Sequence, residues 1–308
     1  MASNLDLVND GDGYLYVYDS AEVYHLKVIN ISATLGYVRT PVLDVLRTLP
    51  NWEVNDTDRT VVLTGGNNAE ERSGVVEQSL LAMRETERFA ILKKWRNERF
   101  PVFGPNKEVL FSIERCASSL FGIVTYGVHA LAYVLPEVEG EEIKIWVSRR
   151  ARTKQTYGGM LDSTAAGGMS SGEMPLETLV KECSEEASLP PDLVRKNATA
   201  VGMVTNFFVS GKSPGGVIER LQPECHYIYD LLLPPGVICK QNDDEVEGFY
   251  LWTVDKIKHA LANREFKPNC ALVMLDFFIR HGILTGENEM DYIEIVSRLH
   301  RRHEFPTR

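Results

Sequence analysis

Apolar and polar positions alternate in two textures along the chain, and the change between them falls near residues 105 to 118. Before it, helical spacing of Val42, Leu43, Val45 and Leu46 predicts a short helix. Val75, Leu80, Leu81, Met83, Phe89, Leu92 and Trp95 trace a second stripe, which predicts one helix over 69–96. A β-branched run at 60–63 predicts a strand between them. Residues 100–106 are dense in turn formers and read as the end of this first, small α/β unit.

Beyond the change, alternation over 122–134, a Pro/Glu/Gly turn over 136–142 and a strand over 143–149 predict a hairpin. A glycine-rich segment, 157–172, leads into a helix that opens near Pro175, where proline suits the first turn, and ends before Pro190. Further strands are expected at 201–209, 226–233 and 248–252, and helices at 254–263 and 271–281. Strands with interposed helices imply an α/β/α layered domain. The expected division is therefore a small α/β unit over 1–115 and the layered domain over 116–308. No internal repeat is visible.

Composition narrows the function classes. With 308 residues, 44% hydrophobic and 25% charged, the chain has the makeup of an ordinary globular protein, with room for one large core or two modest ones. A net charge of −10 offers no broad cationic field for a phosphate backbone, which argues against general nucleic-acid binding. The five cysteines are odd in number and mostly set in apolar runs, so free thiols in a reducing compartment are expected. None shows CxxC spacing, and the histidines form no finger-type pattern with them, so no structural zinc site is expected. The first residues lack the basic stretch and apolar core of a leader, and no apolar run reaches the ~18 residues of a membrane span. The expected address is the cytosol, with no membrane partner.

One stretch concentrates chemistry. On a helix, Glu182, Glu185 and Glu186 fall at i, i+3 and i+4, so three carboxylates share one face about a turn long. An arbitrary acidic helix face is usually just solvated. Here the cluster follows a Gly-rich loop carrying Glu173, and Leu179 and Ala187 leave the flanking face apolar, so the carboxylates are aimed at a cation. Oxygen ligands without His or Cys suit magnesium, with manganese as a substitute, and argue against zinc. Such ions neutralise phosphate charge and activate water, which is the chemistry of diphosphate cleavage.

The segment resembles the Nudix box: Gly, five residues, Glu, seven residues, Arg-Glu, an aliphatic, any residue, Glu-Glu, any residue, Gly and an aliphatic. Gly167, Glu173, Glu182, Glu185, Glu186 and Leu189 match in register, while Lys181 stands for the arginine, Cys183 for the aliphatic and Ser188 for the second glycine. Lys181 keeps a positive charge with which to hold Glu173, without the arginine fork. Ser188 stands where a left-handed helix end prefers glycine. Over nearly the whole chain, segments 100–104, 111–115, 121–129 and 149–168 resemble the thiamine pyrophosphokinase-related Nudix proteins of fungi and plants. The resemblance implies a Nudix α/β/α sandwich with a mixed sheet after a small α/β N-terminal domain. It also implies hydrolysis of thiamine diphosphate and its damaged oxo and oxy analogues to monophosphates. Metal ligands would be Glu182, Glu185 and Glu186, with Glu173 as ligand or helper, and Gly167 and Gly168 would lie against the substrate.

Outside the box, Arg149, Arg150, Arg152 and Lys154 gather four cations in an acidic chain and are the expected phosphate binders. A catalytic base is sought in the box or in the acidic turn 243–248, where Glu245 and Glu247 are candidates. Phe207, Phe208, Tyr227, Tyr229 and Trp252 could stack on a cationic ring, although strand aromatics are more often core. His129 reads as a hydrogen-bonded structural histidine. Two other readings stay open: a Nudix pyrophosphatase on a nucleoside diphosphate derivative such as ADP-ribose, and a Nudix fold kept as a binding module without turnover. A module of that kind usually loses box carboxylates, and all four are present. The first unit carries no chemical motif; covering the substrate, contacting its ring and forming a homodimer interface all remain roles for it.

Overall fold

The computed structural model describes residues 1–14, 23–136, 142–154, 156–210 and 220–308, so the expected turn at 136–142 lies largely outside the described residues. After helix α1 (Asn4–Gly11), the first unit runs β1 (Tyr24–Val28), β2 (Gly36–Val38), α2 (Thr40–Leu46), β3 (Trp52–Asn55), β4 (Thr60–Leu63) and α3 (Ala69–Glu85). Its sheet has the order β2-β1-β4-β3, with β1 and β4 parallel and the other pairs antiparallel. A 3-10 turn (Ala90–Lys94), a hairpin of β5 (Arg99–Phe103) and β6 (Val109–Glu114), and a second 3-10 turn (Arg115–Leu120) complete it. The apolar faces of α2 and α3 bury Val42, Leu43, Leu46, Val76, Leu80 and Met83 with Leu26, Val61 and Leu63 in one core.

Two expectations for this unit are corrected. The apolar stripe over 69–96 is not one helix: α3 stops at Glu85, and Glu87 takes a positive φ of 55°, which turns the chain back so that Phe89 and Leu92 enter the core from a 3-10 turn. Leu81, placed on the stripe, is exposed. The segment 100–106 is not simply a turn, because Phe100, Pro101 and Val102 pair with β6 and only 104–108 closes the hairpin. Proline is tolerated there because this two-stranded ribbon leaves an edge free.

The second unit is a sheet of order β11-β12-β7-β8-β13, from β7 (Thr125–Val134), β8 (Lys144–Arg150), β11 (Ala198–Ser210), β12 (Arg220–Leu232) and β13 (Val246–Thr253). The hairpin of β7 and β8 pairs only near its turn, at Tyr133↔Ile145 and Val134↔Lys144. Farther along the strands separate, and β9 (Leu161–Asp162) and β10 (Ala165–Gly168) enter the gap, β9 on β8 and β10 on β7. That gap brings the Gly-rich loop into the middle of the sheet.

Helices α4 (Pro175–Ala187) and α5 (Pro191–Asn197) cover one face, packing Leu179, Val180, Cys183 and Val194 on Val124, Val128 and Ala130. The other face carries α6 (Val254–Ala262), α7 (Pro268–Arg280) and α8 (Tyr292–Leu299) over Leu131, Ile145, Val147, Val204 and Ile228. The result is the expected α/β/α sandwich with a mixed sheet, in which β7 and β12 run parallel. Helices α1, α5 and α8 were not foreseen. The cores are not divided at residue 115: Leu7 and Val8 of α1 join the second core, while Ala117, Leu120, Phe121 and Ile123 join the first. All five cysteines are free. No helix among the described residues is long and apolar enough to cross a membrane.

Candidate active site

The apolar stripe of α4 faces the sheet, and this fixes where its carboxylates go. Burial of Leu179, Val180, Cys183 and Ala187 turns Glu182 and Glu186 toward the β9/β10 gap and leaves Glu185 exposed at its rim. Ser188 closes the helix at φ 56° and ψ 28°, so serine carries the left-handed conformation that the box assigns to glycine. Glu186 is buried; one carboxylate oxygen accepts from the Ala166 amide at 3.0 Å and the other lies 3.9 Å from Lys154 Nζ. Glu182 lies flat against β10: a Cβ at Gly167 would fall 2.1 Å from its carboxyl carbon. A side chain at 167 would therefore have to displace the Glu182 carboxylate. Gly167→Ala is expected to push Glu182 off the wall and cut turnover about 100-fold, the cost of a misplaced group, with melting temperature as the control for folding. A rate within twofold of wild type would show that Glu182 tolerates the shift.

A cavity of about 1020 Å³ opens in front of these residues. Of the expected site residues, Glu182, Glu185, Glu245, Arg150, Lys154, Gly167 and Gly168 line it, and Glu186 adjoins it through Ala166 and Lys154. Burial, with the charge of Glu185 nearby, pushes the Glu182 carboxyl up to about 7. Burial, with Asp162 and Glu182 beside it, pushes Glu186 up to about 8. Burial also acts upward on Glu245, but its hydrogen bond and charge interaction with Lys154 prevail and hold it below the ordinary carboxylate range. The wall thus has two carboxyls that burial keeps protonated to higher pH than usual and one that is ionised over a wider range.

The remaining candidates do not meet there. Glu173 accepts from Ser170 N at 2.8 Å and Thr178 Oγ1 at 3.3 Å, which ties the loop to the start of α4. Lys181 lines the cavity and forms no ion pair with Glu173 among the described residues, so the expected Lys181–Glu173 contact is corrected. Arg149 donates to Gly159 O at 2.7 Å and lies over the Tyr250 ring, away from the cavity. Arg152 is solvent-exposed, 3.7 Å from Glu247, and neither lines the cavity. Phe207 is core, as are Tyr229 and half-buried Tyr227, and Trp252 packs under Lys256; only Phe208 reaches the cavity.

The floor is a polar strip that sequence reading did not assemble. Strand register sets Glu224 between Asn206 and Thr125, and His226 beside Gly127, on the sheet face that also carries His129. His226 Nε2 pairs with Glu224 at 3.3 Å, and its ring meets the His129 ring edge to face at 4.8 Å. Burial acts upward on Glu224, but the His226 hydrogen bond and the charges of His226 and Lys267 bring it down to about 2. His129 is hydrogen-bonded, to Ser163 Oγ at 2.9 Å, as expected, and burial drives its pKa well below the ordinary range. The available signal was the period-two run of Arg220, Gln222, Glu224 and His226, alternating with Leu221, Pro223 and Cys225 along one strand.

Two donor sets could hold a metal. Glu182, Glu185 and Glu186 offer oxygen only; Glu182 and Glu186 are the enclosed pair, Glu185 sits exposed at the rim, and among the described residues their one ion pair is Glu186 with Lys154 at 3.9 Å, so the set fits a hard divalent ion. His129, Asp162 and Cys270 bring N, O and S donors within 4.8 Å of one another, although no pattern in the sequence joined them. Asp162 is already engaged there by Arg150 at 2.6 Å, Ser163 N at 2.8 Å and Cys270 Sγ at 2.7 Å.

Comparison with known proteins agrees with this arrangement. Residues 126–270 match the NUDIX domain, and residues 19–125 match a domain of unknown function, DUF4743. A Rhodococcus erythropolis protein named as an uncharacterized Nudix hydrolase, orf19, is 41% identical over 151 residues, 48% of this chain and 77% of that protein. The chain belongs to the Nudix hydrolase family. As a Nudix hydrolase it acts on a pyrophosphate bond. It is also similar to the uncharacterized protein YJR142W of Saccharomyces cerevisiae, 40% identical over 240 residues, 77% of this chain and 70% of that one. Nudix hydrolase 20, chloroplastic, of Arabidopsis thaliana is 37% identical over 209 residues, 67% of this chain and 53% of the plant protein, so the chain spans about half of that relative.

Proposed function

We propose that this Nudix hydrolase is a magnesium-dependent diphosphatase, with manganese as a substitute ion, which converts thiamine diphosphate and its oxo and oxy analogues to the monophosphate and phosphate. The observation that carries the reading is the make-up of one cavity. Its wall offers the box carboxylates with Arg150 and Lys154, and its floor sets the ionised carboxylate of Glu224 near Phe208. The first half suits a metal-bound diphosphate. The second suits a cationic ring, through a negative charge and an aromatic face. About 1020 Å³ is ample for both ends of such a molecule.

Glu182, Glu185 and Glu186 would hold the ion, which when bound supplies charge neutralisation at the phosphates and a more acidic water. Glu245 is the base in this reading, since it stays ionised beside Lys154 and can take a proton from the attacking water. Lys154 balances oxygens on the departing phosphate, and Arg150, held by Asp162 and the Thr156 carbonyl, adds positive charge at the wall. The test measures phosphate release from thiamine diphosphate against AMP release from ADP-ribose at equal enzyme, each with magnesium and with chelator. Thiamine diphosphate is expected to be cleaved faster, by at least tenfold in kcat/KM, and only with metal. Faster AMP release would move the assignment to nucleoside diphosphate derivatives.

A further inference from the structure

The first unit docks on the box itself. Phe100 of β5 sits against Gly168, where a Cβ would fall 2.9 Å from its ring, and the guanidinium carbon of Arg115 lies 3.5 Å from the same point. Ser171 N donates to Arg99 O at 2.8 Å, Ser170 Oγ donates to Glu98 at 2.9 Å, and Ser112 and Ser171 hydroxyls meet at 3.1 Å. Lys94, Arg96, Arg115 and Ser119 of this unit all line the 1020 Å³ cavity. The unit therefore faces the acidic wall of α4 with a mostly basic one.

Arg115 is the best-held of these cations. One terminal nitrogen donates to Glu98 at 2.8 Å, and the group lies over the Phe100 ring at 5.4 Å. Its other guanidinium nitrogens have no protein partner among the described residues, and the side chain remains about a third exposed. A planar fork fixed by a carboxylate on one side and a ring beneath, with donors left over toward a cavity, is preorganised for an oxyanion.

We propose that Arg115 binds a phosphate oxygen of the diphosphate, so that the first unit supplies part of the active site. The inference rests on the diphosphatase reading and adds to it a substrate-binding residue outside the box. It also gives a reason for Gly168: a Cβ there would press on the Phe100 ring that supports the guanidinium.

The alternative is that Arg115 only clamps the two units through Glu98. Calorimetric binding of methylenediphosphonate with magnesium, which cannot be hydrolysed at its bridging carbon, separates the two. Arg115→Gln is expected to weaken binding roughly 10- to 100-fold, the worth of one or two charge-assisted hydrogen bonds. Arg115→Lys keeps the charge and the Glu98 pair, should lose less, and guards against a glutamine variant that fails to fold. Arg99→Gln breaks the Glu77 ion pair on the same unit, away from the cavity, and is expected to leave binding unchanged. Wild-type binding that both Arg115 variants retain within twofold would overturn the role of Arg115 and leave the diphosphatase reading intact. Failure of the wild type itself to bind the diphosphonate would remove both.

Discussion

Glu186→Gln is expected to lower turnover by roughly 10³-fold or more, about 4 kcal/mol of transition-state stabilisation, while the fold survives. The reasoning follows from position. Glu186 is buried, its one short hydrogen bond comes from the Ala166 amide, and Lys154 stands no closer than 3.9 Å. Glutamine keeps the acceptor for Ala166 and the volume of the side chain. It removes the negative charge that a divalent ion would need from the most enclosed ligand of the set. Because the charge is costly where it is, losing it should leave the metal-free protein as stable as wild type or more so. Phosphate release under saturating magnesium, with melting in chelator as the control, measures both halves. A variant that keeps a tenth of wild-type turnover would remove Glu186 from the metal set.

Periodicity was enough to locate the layers of the second unit, because its helices are amphipathic and its strands alternate against two helical covers. The box was legible for the same reason: Glu182, Glu185 and Glu186 are local to one helix, and their spacing is fixed by its pitch. What local pattern could not reveal is anything assembled across distance. Glu224 and His226 face the box only because β12 pairs parallel with β7 in a register that sets His226 beside Gly127. Cys270 meets Asp162 across 108 positions. Arg115 reaches Gly168 because the β9/β10 insertion splits the hairpin and exposes its glycines to the first unit. The basic run 149–154 misled in part for a simple reason. Neighbouring residues on β8 point to opposite faces, so Arg150 enters the site and Arg149 leaves it. Helix 69–96 failed where an apolar stripe continued through a chain reversal at Glu87, since a 3-10 turn can supply core residues as well as a helix can.

Magnesium is expected to stabilise the protein more as pH rises from 6 to 8.5. Burial raises Glu186 from an ordinary 4.5 to about 8 and Glu182 to about 7, whereas in the unfolded chain both titrate near 4.5. Between those limits the folded protein holds protons that the unfolded chain has released. Stability from these two groups is thus complete below about pH 4.5 and is lost as pH climbs through 7 and 8. The lowered carboxyl of Glu224 works in the opposite direction, but its contribution disappears only as pH falls toward 2 and lies outside the window. A divalent ion favours the ionised carboxylates, so below pH 8 it must displace protons, and its apparent affinity grows as they leave. The quantity to measure is the melting temperature in magnesium minus that in chelator, across the pH range, for wild type and for Glu186→Gln. Wild type should show a difference that widens with pH up to about 8, and the variant a smaller one whose widening ends near pH 7, where Glu182 still titrates. An equal, pH-independent shift in both proteins would mean that magnesium binds elsewhere, and the carboxylate wall would lose its assigned role.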